Sequence, residues 1–592
     1  MKQFAEYTLS HLCLSASEKY GDRTAFLMLS EGKINERVTY RQMGEQSLQF
    51  AHVLNEIGIE KGGRVLLLSE NCPQWPLTYF GTAIAGAVSV PLLTGFSSEQ
   101  IKNIVNLSGA KAVFISRSMS EKHIIPCGEV SAAEPVFKNI PMIIMNSITE
   151  NEKSGSGISV FVNGNEKIYP VKIDDYKNSS SQNPDDPASI IYTSGTQGNS
   201  KGVMLSGRNL ISSAVSSYTF FKTNTKDRLL SVLPLAHSYE CSLGLLAPLL
   251  CGSSITYIDR PPSPSALLSA FKLIRPSAMI SVPLLIEKIY KSAVAPKLHQ
   301  SKLYKFPLTR FLAIWFAGRK LNSAFGGKLR FLGIGGAPLS PEVEEFLIRS
   351  RFPYSAGYGL TEASPLVAGN NARQFFHKPG NTVPKGVAVR IEHTASAVHT
   401  ASAVHTALAV QCNSNLTGRS AAGEIQVTGP NVMMGYFNDE QKTRETMTQD
   451  GWLRTGDLGS IDKKGRLYIK GRLKTMILGP GGENIYPEEI EGLLGTSELI
   501  EDSLVYSGKK GELIALVRLS EAAIKTASCN EVSRASCNEV PRAQYLAEHA
   551  LEDLRKWVNK KLAVFSKLSR IEIKYEPFEK TPTMKIKRYL YV

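Results

Sequence analysis

The chain has 592 residues, 43% of them hydrophobic and 20% charged, which is the make-up of a folded globular protein and excludes a disordered or collagen-like one. Its 68 Lys and Arg against 53 Asp and Glu leave a net charge of +15. Two stretches hold all of that excess: 297–330 has eight basic residues and no acid, and 556–592 has ten basic residues and three Glu. A basic patch can meet nucleic acid, an anionic membrane or a phosphorylated small molecule, and charge alone does not choose among them.

The N-terminal segment MKQFAEYTLSHLCLSASEKYGDR lacks an apolar core and carries early charges, so it does not read as a secretory signal. Apolar spacing predicts a helix over 40–57, a strand at RVLLL (64–68), a helix over 75–87 and a strand over 88–92. A helix over 97–108 follows, opened by the cap signal FSSEQ, and then a strand at AVFI (112–115). Strands alternating with helices imply βαβ units and mainly parallel sheets. Residues 116–185, polar and Gly/Ser/Asn-rich in places, are expected to form a variable surface region. The βα alternation resumes over 188–290. After Gly471 the pattern becomes shorter and more charged, which predicts a smaller C-terminal unit of about 120 residues.

No run of 18 or more apolar residues occurs, so no membrane-spanning helix is expected. Eight scattered cysteines, with no C-x-x-C, fit neither a disulfide scaffold nor a zinc module. The tandem copies TASAVH (394–399 and 400–405) and ASCNEVSR/ASCNEVPR (527–542) are too few and too short for a solenoid. They are expected to be duplications in loops. Six-residue spacing does not gather His393, His399 and His405 round one metal ion.

The strongest local signal is SIIYTSGTQGNSKGV (189–203), an apolar strand entering a loop of Gly, Ser and Thr with one lysine, Lys201. Hydroxyls, free backbone N–H groups and a lysine suit phosphate oxygens. The loop is not a Walker P-loop, because Lys201 follows Ser200 and precedes Gly202.

This segment resembles the signature loop of the acyl-adenylate-forming (AMP-binding) enzymes. Further matches follow in order: LPLAHSYE (233–240), GIGGAPLS (333–340), GYGLTEASP (357–365), GEIQVTGPNVMMGYFND (423–439), GWLRTGDLGSIDKKGRLYIKGRLK (451–474), GGENIYPEEIE (481–491) and FEKTPTMKIKRYL (578–590). The resemblance covers nearly the whole chain and is closest to long-chain fatty acyl-CoA synthetases. It implies an α/β fold, with a large N-terminal domain of βα-layered subdomains (1–473) and a small mobile α+β C-terminal domain (474–592). It also implies a reaction in which a fatty acid attacks ATP to give acyl-AMP and pyrophosphate, and coenzyme A then displaces AMP.

The resemblance assigns roles to residues. Thr193, Ser194, Gly195, Thr196 and Lys201 would hold phosphates, and Glu362 with Thr193 would hold Mg²⁺. Gly336 and Ala337 would border the adenine, Tyr358 would stack on it beside Gly359, and Thr361 would contact the α-phosphate. Asp457 and Arg472 would hold the ribose, and His237 would sit by the acyl carboxylate. Lys474 would be the hinge, and Gly481 and Gly482 would form a loop beside coenzyme A. Lys585 would be the catalytic lysine, although by charge alone Lys587 or Arg588 could serve. One departure is PGNTVPKG (379–386), a shortened version of the family's segment, followed directly by the TASAVH insertion.

The expected partners are a fatty acid, ATP and coenzyme A. A shorter or aromatic acid, and a carrier-protein phosphopantetheine as acceptor, stay open as alternatives, as does a homodimer. Nucleic acid is not expected. A cytoplasmic location is expected, with peripheral contact at the inner face of the membrane through 297–330, where bases alternate with aromatics. The plainer alternative for that stretch is a buried helix with snorkelling Lys and Arg.

Overall fold

The computed structural model describes residues 7–123, 136–137, 139–151, 155–162, 165–170, 183–193, 200–260, 264–370, 381–392, 422–478, 484–508, 511–521, 523, 542–581 and 585–592. Both repeat insertions lie outside them, except for Arg542 at the end of the second.

Two large sheets carry the N-terminal part. In a nine-stranded sheet, Arg64–Leu68 lies between Val88–Leu92 and Ala112–Ile115, parallel to both. The RVLLL strand is apolar from Val65 onward because it is buried on both faces, as a central parallel strand must be. The helix Ser98–Ser108 packs against this core through Ile101, Ile104 and Val105. Its predicted cap is complete: Ser97 Oγ accepts from the Gln100 amide and Gln100 Oε1 accepts from the Ser97 amide. A cap of this kind stabilises a helix by about 1 kcal/mol.

The expectation for 116–185 is corrected. Met142–Asn151, Gly155–Val162 and Asn165–Pro170 form an antiparallel ribbon that widens the nine-stranded sheet, and Ile143, Met145, Ile158 and Val160 enter its core. Short apolar runs, MIIM and ISVFV, occur there. The polar average of the window hides them.

The second sheet has eight strands. Phe331–Ile334 runs parallel to Ala278–Ser281 on one side and to Tyr354–Gly359 on the other. A four-stranded antiparallel sheet includes Leu453–Ile461 and Leu467–Arg472. After a turn at 473–475, the strands Ile500–Ser507, Leu513–Leu519 and Leu568–Ile573 form a small sheet with the helices Pro487–Leu494 and Arg542–Lys561. Their hydrophobic cluster, from Ile485 to Leu568, contains no buried residue from before Arg472. The architecture is therefore a mixed α/β fold with a large N-terminal part and a smaller α+β C-terminal one. Lys291 Nζ donates to the Gly495 carbonyl across the two parts.

Candidate active site

In an open parallel sheet, ligands bind outside the carboxyl ends of the strands. Phe331–Ile334 and Tyr354–Gly359 end side by side there. Gly336 follows the first strand with φ +87°, a conformation that favours glycine, and both it and Ala337 are exposed. Gly359 ends the second strand. A Cβ on it would stand 1.9 Å from the Pro365 carbonyl oxygen, so only glycine lets the chain fold back here.

The turn Thr361–Ala363 carries Glu362. Tyr436 OH donates to Glu362 Oε1 at 2.8 Å, and the Met433 amide donates to the Glu362 carbonyl at 2.9 Å. Lys201 Nζ lies 5.5 Å from the Tyr436 ring centre. Lys201 opens the strand Lys201–Ser206 directly opposite Thr193, the last residue of Pro187–Thr193. The hairpin so formed sets both at the mouth of the predicted phosphate loop. The loop tip with Ser194, Gly195 and Thr196, and the Gly481–Gly482 loop, lie outside the described residues. Burial lowers the Lys201 pKa, as do Lys442 and Lys474, while Glu362 and Asp439 oppose the shift.

Asp457 and Arg472 face one another on the paired strands Leu453–Ile461 and Leu467–Arg472, with Nε 3.1 Å from Oδ1. Tyr358 OH donates to the other oxygen, Oδ2, at 2.7 Å. Asp457 is only 4% exposed, and burial raises its pKa despite Arg472 and Tyr358. Lys474 is exposed in the turn that follows, where the Leu473 amide donates to the Gly456 carbonyl and the Met476 amide to the Arg472 carbonyl.

Lys585 comes to the same place from the C-terminal end. Its amide donates to Thr581 Oγ1 at 3.2 Å, and the Thr581 amide donates back to its carbonyl at 2.8 Å. The residue keeps solvent-exposed surface, but its ammonium is crowded by protein atoms. That crowding, with the Arg472 charge, lowers its pKa, while Asp457 and Glu362 oppose the shift. The structure separates the three basic candidates. Arg588 is held by Glu491 at 2.6 Å and Lys587 by Glu579 at 3.2 Å. Lys585 has no ion pair among the described residues and faces the Asp457–Arg472 pair.

His237 stands near Lys585, whose charge, after burial, helps push the histidine pKa down to about 4. Its Nδ1 accepts from the Tyr239 amide at 3.1 Å, so in the neutral ring Nε2 carries the proton. The LPLAHSYE segment is pinned by a residue that sequence reasoning missed: Asn71 donates to the Leu233 carbonyl at 2.6 Å and accepts from the Leu235 amide at 2.9 Å. Tyr436, which holds Glu362, was also missed, although it lies inside the motif GPNVMMGYFND. Because His237 protonates only near pH 4, the pH profile between about 5.5 and 8 should keep its shape in His237→Asn while the rate falls. Loss of an ionisation in that range on substitution would contradict a neutral His237.

Among the described residues no group of three or more His, Cys, Asp or Glu could hold a metal ion. Glu362 is a lone carboxylate whose Oε2 has no hydrogen-bond partner among those residues. That suits Mg²⁺, which keeps several waters and takes its remaining ligands from phosphates. Elsewhere, Lys580 and Lys587 line a cavity of about 570 Å³ together with Ser97, Ser98, Lys122 and His123.

An α/β fold that gathers an Asp–Arg ion pair, a lone acid, two lysines and a histidine near the carboxyl ends of parallel strands fits an adenylate-forming ligase. Residues 14–437 match the AMP-binding enzyme family, and the chain belongs to that family, among its acyl-CoA ligases, which use an acid, ATP and coenzyme A. It is 27% identical to the long-chain-fatty-acid–CoA ligase FadD15 of Mycobacterium bovis, over 93% of this chain and 90% of that protein. It is 28% identical to 4-coumarate–CoA ligase 1 of Petroselinum crispum, over 83% of this chain and 80% of that protein. Among solved structures, o-succinylbenzoate CoA synthetase from Bacillus subtilis with its acyl-adenylate intermediate matches at a TM-score of 0.69 and 21% identity, covering 99% of this chain and 98% of that one. The same enzyme with ATP and magnesium matches at 0.67 and 21%, over 98% of each chain.

Proposed function

We propose that the protein is a long-chain-fatty-acid–CoA ligase working in two half-reactions, with the site residues in the roles that follow. The observation that supports the chemistry is the convergence of Lys585 on Asp457, Arg472, Glu362 and His237, and the long-chain acid is supported by the similarity to FadD15. A carboxylate oxygen of the acid attacks the α-phosphorus of ATP, and the bond to the β-phosphate oxygen breaks, releasing pyrophosphate. Lys585, a compact cation, stabilises the charge that develops at the transferred phosphate. Thr193, the loop Ser194–Gly195–Thr196 and Lys201 hold the leaving phosphates, and positioning and charge neutralisation are the main tasks at phosphorus. Glu362 and Thr193 would hold Mg²⁺, which would supply charge neutralisation at the phosphates. Tyr358, Gly336, Ala337 and Gly359 border the base. Thr361 meets the α-phosphate, and Asp457 with Arg472 fixes the ribose. His237 orients the acyl carboxylate through its Nε2 proton.

In the second half-reaction the thiol sulfur of coenzyme A bonds to the acyl carbon and AMP leaves, with the thiol proton passing to solvent. The chain divides at 473/474, and rotation about Lys474 removes Lys585 and brings in Gly481 and Gly482. Lys474→Pro, which fixes one φ in the turn, should slow thioester formation at least tenfold and leave pyrophosphate release within a few-fold. An unchanged thioester step would remove the hinge.

Pyrophosphate release with acids from two to eighteen carbons, with and without coenzyme A, tests the reading as a whole. Preference for long saturated acids and dependence of thioester product on coenzyme A are expected. The relationship to 4-coumarate–CoA ligase supports a second reading, and a preference for aromatic acids would establish it instead.

A further inference from the structure

The 297–330 stretch holds the densest group of exposed large hydrophobic residues in the described chain. Six of 22 fall between 303 and 316: Leu303, Phe306, Leu308, Phe311, Leu312 and Phe316. Leu308 is 77% exposed and Phe311 65%. They stand on the short helix Lys302–Lys305, the loop after it, and the helix Arg310–Ala324.

That helix has two faces. Ala313, Ile314 and Leu321 join the core, and Gly318 passes so close to Ser350 that a Cβ would lie 2.5 Å from the serine Cβ. Its inner face is therefore fully engaged, while Phe311, Leu312 and Phe316 face outward. The loop is braced from within. Thr309 Oγ1 donates to the Leu303 carbonyl at 2.8 Å, and Arg310 donates to the Tyr304 carbonyl at 3.0 Å with its guanidinium 5.0 Å from the Tyr304 ring centre. The apolar tips are held out of the protein.

Within the stretch the charges have one sign. All eight basic residues of 297–330 are exposed, and no acid lies in the stretch. Arg330 pairs with Asp227, but Lys297, Lys302, Lys305, Lys320 and Lys328 have no ion pair among the described residues. Single exposed leucines need no explanation, whereas a grouped apolar patch marks an interaction surface.

We propose that this surface docks on an anionic lipid bilayer, with Phe306, Leu308 and Phe311 entering the headgroup–acyl boundary and the lysines against the lipid phosphates. Apolar tips ringed by bases are what interfacial attachment requires: burial of the tips drives insertion, and the bases are drawn to anionic headgroups. No described helix is long and apolar enough to cross a membrane, so the contact is at the surface. An acidic protein partner would satisfy the lysines but gives no reason for three large apolar tips at the crest.

The test is co-sedimentation of the full chain with vesicles of phosphatidylcholine containing about 30% phosphatidylglycerol, and with phosphatidylcholine alone. The protein should pellet with the anionic vesicles and release at high salt, since surface charge is screened. Phe306→Ser/Leu308→Ser/Phe311→Ser should weaken binding at least tenfold with an unchanged unfolding temperature. Lys302→Glu/Lys305→Glu, which removes no side-chain hydrogen bond seen in the structure, should weaken it by on the order of tenfold or more. Arg310 is left in place because it braces the loop. Failure of the wild-type chain to pellet, or equal binding by the lysine variant, overturns the proposal. So does binding of the same surface to an acidic carrier protein or to a second copy of the chain without vesicle binding. Both variants should still release pyrophosphate with a soluble short acid, so failure here is distinguishable from failure of the proposed chemistry.

Discussion

Lys585→Ala should cut adenylate formation by roughly 10²–10³-fold, the range found when one charge-stabilising group is removed from a preorganised site. Thioester formation from supplied acyl-AMP should stay within a few-fold of wild type. The geometry makes the division sharp. Lys585 is fixed by a two-way bond with Thr581 on the C-terminal unit, while Asp457, Glu362 and His237, which surround it, belong to the N-terminal part. On the proposed mechanism its ammonium would therefore reach the phosphates only when the two units meet in this way, and would serve only the step catalysed in that arrangement. The measurement is pyrophosphate release beside coenzyme A-dependent consumption of synthetic acyl-AMP. Equal losses in the two assays would mean that Lys585 acts in both steps or supports the fold. Lys587→Ala and Arg588→Ala are the controls. Because they break ion pairs with Glu579 and Glu491, their effects should appear in stability before chemistry. Arg588→Ala should be the costlier, since it strands the buried Glu491, whose pKa burial already raises to about 7.

That choice among three cations shows where sequence reading stops. Strands such as RVLLL and the capped helix after Ser97 are legible because their determinants are local, namely periodicity and a cap within four residues. The ribbon over 142–170 is not, because its apolar runs are short, and a window average removes them. In the site, the motifs name the residue types but not the pairings. Tyr358 meets Asp457 from 99 residues away and Glu362 meets Tyr436 from 74, and no spacing rule predicts either. Arg588 and Lys587 are each paired with a carboxylate brought to them in three dimensions, and spacing predicts neither pair. Asn71, which pins the His237 segment from more than 160 residues away, lies in a turn after a strand and carries no signal of its own.

Asp457→Asn should separate function from stability. The carboxylate is nearly sealed from solvent and its pKa is raised by burial, so the folded state binds the Asp457 proton more tightly than the unfolded chain does. The sign follows: the ionised form costs folding free energy at neutral pH, and that cost lessens as pH falls through the raised pKa. A neutral isostere removes the cost and can still meet Tyr358. The pairing it gives up is with Arg472, which is half exposed and readily hydrated. The unfolding temperature of Asp457→Asn should therefore be equal to or above that of wild type at pH 7. Nucleotide use should nevertheless fall by about 10²-fold in kcat/KM for ATP, because an amide accepts at only one atom where a carboxylate accepts at two, and the ribose presents two hydroxyl donors. In contrast to Lys585→Ala, the loss should appear in both half-reactions, since the same nucleoside must be held from ATP through acyl-AMP to AMP. Thermal unfolding followed across pH 5 to 8, together with the two half-reaction assays, gives the answer. A clear drop in unfolding temperature at pH 7 would make Asp457 a structural ion-pair partner, and full thioester activity from acyl-AMP would remove it from the ribose.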